Sequence, residues 1–287
     1  MSEFIISTDS TCDLPKTFLE DNRILIHPLH YTTGDSHYRD GSDTDFHAFY
    51  ESMRKGTVYQ TASTCPEGIE KRFRTALDAG YDILHIGFSS GLSCTYNNTR
   101  LAVTELSDEY PDRTIRTVDS LSASLGQGLL VYYACKMKRE GASLADTVAW
   151  LEANKLHLCH QFTVDDLRYL MRGGRIGKAT SIIGTLINVK PVLHMDNEGH
   201  LVSLSNVRGR KKAMLTMIDN MAASLGHYEN DVIFISHADC IDEARFLGEQ
   251  ITARFGIQNI VYNSIGAAIG SHCGPGTIAL FYLGENR

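Results

Sequence analysis

The sequence has no dense group of cysteines and no long apolar run. Its seven cysteines are widely spread, and the nearest two, Cys135 and Cys159, are 24 positions apart. Neighbouring cysteines therefore form no C-x-x-C metal or redox motif, and free thiols in a reducing compartment are expected. No apolar run approaches the roughly 18 residues of a spanning helix, and the N-terminal FII is too short for a signal peptide. We expect a cytoplasmic protein with no stable membrane insertion.

An excess of basic residues is also missing, since 27 Lys and Arg face 34 Asp and Glu for a formal net charge of −7. This balance argues against a nucleic acid as partner, which demands a basic surface. The 287 residues, 43% apolar and 21% charged, are typical of a soluble globular protein. A chain of this length exceeds the usual size of one hydrophobic core, so two domains are expected.

Strand-length apolar runs alternate with amphipathic segments through the first 160 residues. The predicted strands are FIIST (4–8), ILIHPL (24–29), YDILHIGF (81–88) and TIRTVD (114–119). The predicted helices are 44–56, 66–80, 95–106 and 142–156, the second with a capping box of Thr64 and Glu67. This alternation predicts an α/β domain over residues 1–160 with a mainly parallel sheet and crossover helices.

The pattern changes in the second half, which we assign to a second α/β domain, residues 161–287. Its predicted elements are a strand running into a helix at 162–174, a buried helix at 181–189, a hairpin turning at 197–199, a βα pair from 231 to 256, and two closing apolar runs that flank SHCGPG. No linker is visible, so the two domains should be in close contact.

Three predicted strands of the first domain end in hydroxyl-rich loops: STDSTCD (7–13), FSSGLSCT (88–95) and VDSLSASLGQG (118–128). In a parallel α/β sheet, strand C-termini and helix N-termini meet at one edge, where ligands bind. Helix N-termini offer unpaired N–H groups and a positive partial charge, and Ser and Thr add donors, so such an edge suits an anion. The alternative is that these hydroxyls only cap the following helices.

The segment GFSSG (87–91) matches the G-x-S-x-G nucleophile elbow of α/β-hydrolases. With Asp239 and His272 downstream, Ser89 would complete a catalytic triad, and a stand-alone serine hydrolase is therefore the alternative function. Few strands precede the segment, however, and no HGGG-like oxyanion segment is visible. The sequence also lacks a P-loop, a G-x-G-x-x-G fingerprint and a calcium loop, so we predict no metal, no cofactor and no ATP site of its own.

Eight blocks of the sequence together resemble the DegV family. They are TDSTCDLP (8–15), TASTCPE (61–67), SSGLSCTY (89–96), DSLSASLGQG (119–128), VDDLRYLMRGGRIG (164–177), INVKPVLHMDNEG (187–199), VRGRKKA (207–213) and SHCGPG (271–276). The resemblance implies two α/β domains with a long-chain fatty acid, such as palmitate or oleate, in the cleft between them. It also implies the acyl-carrying subunit of a two-component fatty acid kinase. A separate ATP-binding subunit then phosphorylates the carboxylate, and the acyl phosphate enters phospholipid synthesis.

The resemblance also implies which residues contact the carboxylate. The family's head-group hydroxyls fall on Thr61 and Ser93, its histidine on His272, and the backbone N–H of Cys94 stays available. The alternatives are a helix-entry turn for Thr61 and a helix cap for Ser93. The sequence departs from the family pattern at Ala62, Ser63, Thr64 and Cys94, where the family usually has serine, Gln-Pro and glycine.

Further contacts follow from the same resemblance. Ser63, Ser120 and Arg172 are possible additional ligand contacts, although a helix-terminal cation is an equal interpretation of Arg172 and of Arg175, which flank the GGR turn. Arg208 and Arg210 resemble the family's exposed arginines that the kinase subunit needs, and a solvated helix start is the rival interpretation. A third function remains open, in which the lipid only stabilises a sensor or structural protein. The sequence does not reveal acyl chain length.

Overall fold

The structure is a computed structural model, and it describes residues 3–41, 44–176 and 188–287. Its strands are β1 (Phe4–Asp9), β2 (Leu25–His27), β3 (His30–Thr33), β4 (Ser36–Arg39), β5 (Gln60–Ala62), β6 (Asp82–Gly87), β7 (Ile115–Asp119), β8 (Leu158–Thr163), β9 (Val189–Met195), β10 (Leu201–Arg208), β11 (Ile233–His237), β12 (Ile260–Ser264) and β13 (Ile278–Leu283). Its helices are α1 (Lys16–Asp21), α2 (Phe46–Arg54), α3 (Pro66–Asp78), α4 (Thr95–Glu109), α5 (Leu125–Arg139), α6 (Leu144–Asn154), α7 (Arg168–Arg172), α8 (Arg210–Ser224), α9 (Ile241–Phe255) and α10 (Ala267–Cys273).

The first half forms a four-stranded parallel sheet in the order β2-β1-β6-β7. These are the four strands that the sequence predicts. In β6, Ile83, Leu84 and Ile86 are all fully buried although neighbouring side chains point to opposite faces. Helices therefore cover both faces of the sheet, as parallel sheets require.

A small antiparallel sheet in the order β4-β3-β5 was not predicted. Its strands are only three or four residues long and contain His, Tyr, Thr and Arg without apolar alternation, so the period-2 signal of a half-buried strand is lacking. Pairing of Tyr31 with Thr61 fixes the register of β5. This sheet therefore sets the position of one predicted head-group residue.

The second half forms a six-stranded sheet in the order β10-β9-β8-β13-β11-β12. Only β11 and β12 pair in parallel. The predicted hairpin is confirmed as β9 and β10, and the N–H of Asp196 donates to the carbonyl of His200 at 2.9 Å across its turn. Since β8 begins at Leu158, the second sheet starts close to the predicted boundary at 160, which itself stays a prediction.

Helix α5 was missed because it lacks a polar face. Ten of its residues are buried, since it packs against strands of both sheets. Gly126 and Gly128 allow this close approach: a Cβ on Gly128 would lie 2.6 Å from the carbonyl oxygen of Cys12. The same glycines made the segment resemble a loop.

Two local predictions have a different outcome. The capping box at Thr64 is wrong, because α3 begins after Cys65 without a side-chain cap and the Thr64 hydroxyl donates to the carbonyl of Pro28. The helix predicted at 181–189 lies outside the described residues, except for Asn188 in a turn and Val189 at the start of β9.

Candidate functional site

A cavity of about 370 Å³ lies between the two sheets. Its deep walls are apolar and come mostly from the second sheet and the helices next to it: Phe162, Leu170, Met195, Leu201, Ile269 and Phe281. One end is polar and reaches solvent near Cys94, and it is formed by Thr61, Ser63, Ser93, Cys94, Arg175 and His272. A long apolar space with one polar mouth suits an amphipathic ligand.

Thr61 and His272 come from opposite halves of the chain and meet at the mouth, with Thr61 Oγ1 2.7 Å from His272 Nε2. His272 lies in the last turn of α10, which packs closely because Gly270 lies against the ring of Tyr50. Burial, together with the nearby positive charges of Arg175 and Arg172, lowers the pKa of His272 to about 4. The imidazole is therefore neutral near pH 7.

Ser93 and Cys94 stand at the beginning of α4, a helix of 15 residues. Ser93 Oγ lies 2.9 Å from Thr95 Oγ1 and accepts the Thr95 N–H at 3.2 Å. Cys94 is exposed, and its thiol donates to Ser63 Oγ at 3.4 Å. The hydroxyl of Ser93 thus supports the helix start and also faces the cavity, so the two interpretations of this serine are compatible.

The other residues considered as ligand contacts differ in whether they border the cavity. Arg175 borders the cavity and donates from Nε to the carbonyl of Leu92 at 3.3 Å. Arg172 is exposed, lies over the ring of Tyr169 at 5.0 Å and does not line the cavity. Ser120 is fully buried and donates to the carbonyl of Ser122. Of the three additional residues predicted, only Ser63 borders the cavity.

The predicted triad is not assembled. Ser89 is fully buried, and its hydroxyl donates to the carbonyl of Gly199 at 2.9 Å. Asp239 instead pairs with His47 and Arg54, and His272 is occupied by Thr61. Ser89 therefore secures the tip of the β9–β10 hairpin against the first sheet and has no base positioned to activate it.

The three hydroxyl-rich loops also differ from the prediction of one common site. Several residues of the loop 88–95 line the cavity, and the loop 118–128 contributes Ala123 and Ser124 to the lining. No residue of 7–13 lines the cavity. That loop instead borders a larger, open cleft of about 1140 Å³, which is lined mostly by residues of the first half of the chain together with Asn263, Ser264 and Gly266 and shares no lining residue with the cavity.

The apolar side chains of the cavity were not predicted as ligand contacts. Phe162, Met195 and Phe281 lie in strands of the second sheet and are buried like ordinary core residues. Their sequence pattern is that of any buried strand, so no signal in the sequence separates a wall from a core.

The two arginines of the basic segment have different surroundings. Arg208, the last residue of β10, is exposed, and no hydrogen bond or ion pair joins its side chain to the described residues. The side chain of Arg210 is only 14% exposed, and its Nη2 lies 3.0 Å from Glu243 Oε2. Of these two arginines, only Arg208 is exposed and has no ion-pair partner among the described residues.

Among residues 3–41, 44–176 and 188–287, no group of three or more His, Cys, Asp or Glu side chains is arranged to hold an ion. No helix of these ranges has the length and apolarity to cross a membrane.

Comparison with known proteins gives matches over nearly the whole chain. The sequence model of the DegV family, described as "Uncharacterised protein, DegV family", matches residues 3–285. A DegV domain-containing protein of Clostridium perfringens is 39% identical over 289 residues, covering 100% of this chain and 99% of the relative.

Solved structures agree with this match. A DegV family protein of Thermus thermophilus, described as binding fatty acid, is 30% identical with a TM-score of 0.86, and 99% of this chain and 100% of that one are covered. A stearic acid-binding protein of Eubacterium ventriosum is 26% identical with a TM-score of 0.89 and 98% coverage of both chains. The predicted α/β fold class of two domains and the family resemblance are confirmed.

Proposed function

The chain belongs to the DegV family, and from this and the cavity we propose that it binds one long-chain fatty acid between its two sheets. The observation that carries the proposal is the joining of a polar mouth to a buried apolar space of about 370 Å³. Each methylene transferred from water into such a space contributes about 0.8 kcal/mol. An acyl chain would therefore supply most of the affinity, and the mouth would set its direction.

The carboxylate would lie among Thr61, Ser93 and the N-terminus of α4. Charge-assisted hydrogen bonds to a carboxylate contribute roughly 1.5–3 kcal/mol each, and the helix N-terminus favours negative charge. Neutral His272 supports this arrangement in one tautomer: with a proton on Nε2 it donates to Thr61 Oγ1, which leaves the Thr61 hydroxyl proton free for the ligand. The backbone N–H of Cys94 and the side chain of Ser63 are further candidates for contact.

We further propose that the protein acts as a carrier that presents this carboxylate to a separate ATP-binding kinase subunit, which forms the acyl phosphate used in phospholipid synthesis. The exposed Cys94 at the mouth supports access of a partner to the head group. Arg208 gives that partner an unpaired positive charge to recognise. The sequence itself contains no ATP-binding motif.

The arrangement of domains and the location of the protein belong to the same proposal. We place the boundary near residue 160, giving domains 1–160 and 161–287, with the cleft between them. All seven cysteines are free thiols, which favours the reducing cytoplasm as the place of action.

Lipid analysis of the purified protein tests the binding proposal. We expect organic extracts to contain a long-chain fatty acid at about one per chain, because a largely apolar cavity buries most of such a ligand. Delipidated protein should rebind palmitate or oleate in a calorimetric titration. Extracts without fatty acid, together with no binding of either acid, would rule out the proposal.

Charge reversal of Arg208 tests the carrier role. Arg208→Glu should raise the KM for the lipid-loaded protein about tenfold or more in acyl-phosphate formation by a cognate kinase subunit, because a reversed charge repels an acidic partner surface. Lipid binding should not change. Lys71→Glu, an equal charge reversal on exposed α3, is the control and should behave like the unchanged protein. Equal kinetics for both variants would contradict this docking surface.

A further inference from the structure

Arg210, the first residue of α8, has a largely buried side chain that contacts several other segments of the second half of the chain. Its Nε and Nη2 lie 3.2 and 3.0 Å from Glu243 Oε2, and its Nη2 also donates to the carbonyl of Gly276. Its Nη1 is 3.8 Å from Asp165 Oδ1. One guanidinium, whose donors form a rigid fork, thus hydrogen-bonds α9 and the loop after α10 and lies 3.8 Å from the loop after β8.

Asp165 and Gly276 belong to the same cluster. Lys190 Nζ lies 2.7 Å from Asp165 Oδ1 and 3.1 Å from the Asp165 carbonyl oxygen. Gly276 has a φ of +77°, and a Cβ at this position would collide with the Asp165 carboxylate. The Gly276 N–H donates to the carbonyl of Ala238 at 2.8 Å, so the loop is fixed on one side by Ala238 and on the other by Arg210.

Both segments held by Arg210 lead to His272. The loop 274–276 follows α10 directly, and His272 is in the last turn of that helix. Asp165 precedes α7, and Gly173 at the end of α7 lies against the His272 ring, where a Cβ would collide with Nδ1. Two walls of the His272 pocket therefore begin at residues that Arg210 contacts.

We propose that Arg210 is a positioning residue, which holds the His272 pocket in the geometry that retains the fatty acid head group. This inference rests on the proposed fatty acid binding and deepens it. It gives Arg210 a role in supporting the mouth of the cavity from outside its lining, whereas Arg208, two residues earlier and exposed, is the residue proposed to contact the kinase. Loss of Arg210 releases the loop 274–276 and lets His272 and Thr61 separate, so the carboxylate loses an ordered donor.

The test measures how fast labelled oleate leaves the protein when phosphatidylcholine vesicles are added in excess. Arg210→Gln should accelerate dissociation about tenfold, which corresponds to a loss of about 1.4 kcal/mol. Arg210→Lys keeps the positive charge beside Glu243 but loses the fork, and an intermediate rate is expected, with a stably folded protein. Glu243→Gln weakens the hold on the guanidinium and should give a smaller acceleration.

Two controls separate positioning from general destabilisation. Lys212→Gln removes a charge from the exposed side of the same helix and should leave the rate within about twofold. Met221→Ala removes a fully buried side chain from α8, so it should lower the melting temperature while leaving oleate dissociation unchanged.

The imidazole nitrogen resonances of His272 provide a readout that needs no lipid. We expect them to shift in Arg210→Gln and Arg210→Lys but not in Met221→Ala. A folded Arg210→Gln or Arg210→Lys variant with unchanged dissociation and unchanged His272 resonances overturns the proposal. If the unchanged protein bound no oleate, the proposed function would fail, and absent resonance shifts would separately refute the role of Arg210.

Discussion

Two hydroxyl-rich loops at the same edge of the parallel sheet have opposite uses. The loop 88–95 after β6 contributes Ser93 and Cys94 to the mouth of the cavity. The loop 7–13, which begins within the neighbouring β1, contributes no residue to the cavity lining and instead bonds other segments from both halves of the chain. In composition the two loops are alike, so hydroxyl content and position at a strand end do not by themselves define a binding site.

The two loops differ in where their hydroxyl groups lie and in which groups of the protein they bond. Thr8 donates to the carbonyl of Ile86 at 2.7 Å, Ser10 donates to Asp40 at 2.8 Å, and Thr11 donates to Gln127 at 2.9 Å. Ser7 Oγ lies between His85 Nδ1 and His27 Nε2 at 3.1 and 3.0 Å. Every hydroxyl of this loop therefore has a partner within the protein and none lines the cavity, whereas Ser93, which also bonds within the protein, does line it.

Asp9 connects the two loops. Its carboxylate accepts the Phe88 N–H at 2.8 Å, and it is fully buried with His85 Nε2 3.9 Å away. Burial raises the pKa of Asp9 to about 7 and lowers the pKa of His85 to about 3. The loop 7–13 thus contains a carboxyl, Asp9, that keeps its proton to a higher pH than a free aspartic acid. The mouth contains a histidine, His272, that stays unprotonated to a lower pH than a free imidazole.

The largest expected effect is a pH dependence of stability that Asp9 causes in the loop 7–13. The folded pKa of Asp9 lies above the unfolded value of 3.8, so its contribution to stability is complete below that value and is lost as the pH rises through 7. As the pH rises from 4 to 7, the free energy of unfolding of Asp9→Asn should therefore increase relative to that of the unchanged protein by as much as about 4 kcal/mol. Denaturant unfolding at both pH values measures this, and a difference that is independent of pH would contradict a raised pKa.

The second effect has the opposite slope and belongs to the mouth. The folded pKa of His272, about 4, lies below its unfolded value of 6.5, so its contribution is complete above 6.5 and is lost as the pH falls to 4. As the pH falls from 6.5 to 4, the free energy of unfolding of His272→Gln should therefore increase relative to that of the unchanged protein by up to about 3 kcal/mol. If the stability difference from the unchanged protein had the same pH dependence in Asp9→Asn and in His272→Gln, the contrast between the two regions would be wrong.

These contrasts also show how far the sequence leads. Strands β1, β2, β6 and β7 were predictable from their apolar runs, which in β1 and β6 are buried on both faces, and the family blocks pointed to Thr61, Ser93 and His272. The use of each hydroxyl was not predictable, since the bond from Ser89 to Gly199 spans 110 positions and that from Thr11 to Gln127 spans 116. Partners this distant depend on tertiary packing, which local spacing does not encode.

The third prediction compares a hydroxyl from each loop. Ser93→Ala should weaken fatty acid binding about ten- to hundredfold, because it removes a charge-assisted contact of roughly 1.5–3 kcal/mol. Thr11→Val is the matched change in the loop 7–13: it leaves Gln127 Oε1 without its donor in a buried site, lowers the free energy of unfolding by about 1–3 kcal/mol, and leaves affinity within about twofold.

Titration of both variants with a fluorescent fatty acid, beside denaturant unfolding, measures the two quantities. Ser89→Ala joins the series as a third variant and should change affinity much less than Ser93→Ala, since its hydroxyl bonds Gly199. Ester hydrolysis abolished by Ser89→Ala would favour the hydrolase instead. Normal binding by Ser93→Ala would show that the head-group assignment is wrong.

The smallest expected effect concerns Cys94, where the family usually has glycine. Its side chain is exposed and contacts Ser63, whereas the group proposed to face the carboxylate is its backbone N–H, which glycine retains. Cys94→Gly should therefore change fatty acid affinity by no more than about threefold, with a small loss of stability from the added backbone freedom. Cys65→Gly, an exposed cysteine outside the cavity, is the control in the same titration. A tenfold loss confined to Cys94→Gly would mean that the thiol itself contacts the ligand and that the mouth of this protein differs chemically from that of its relatives.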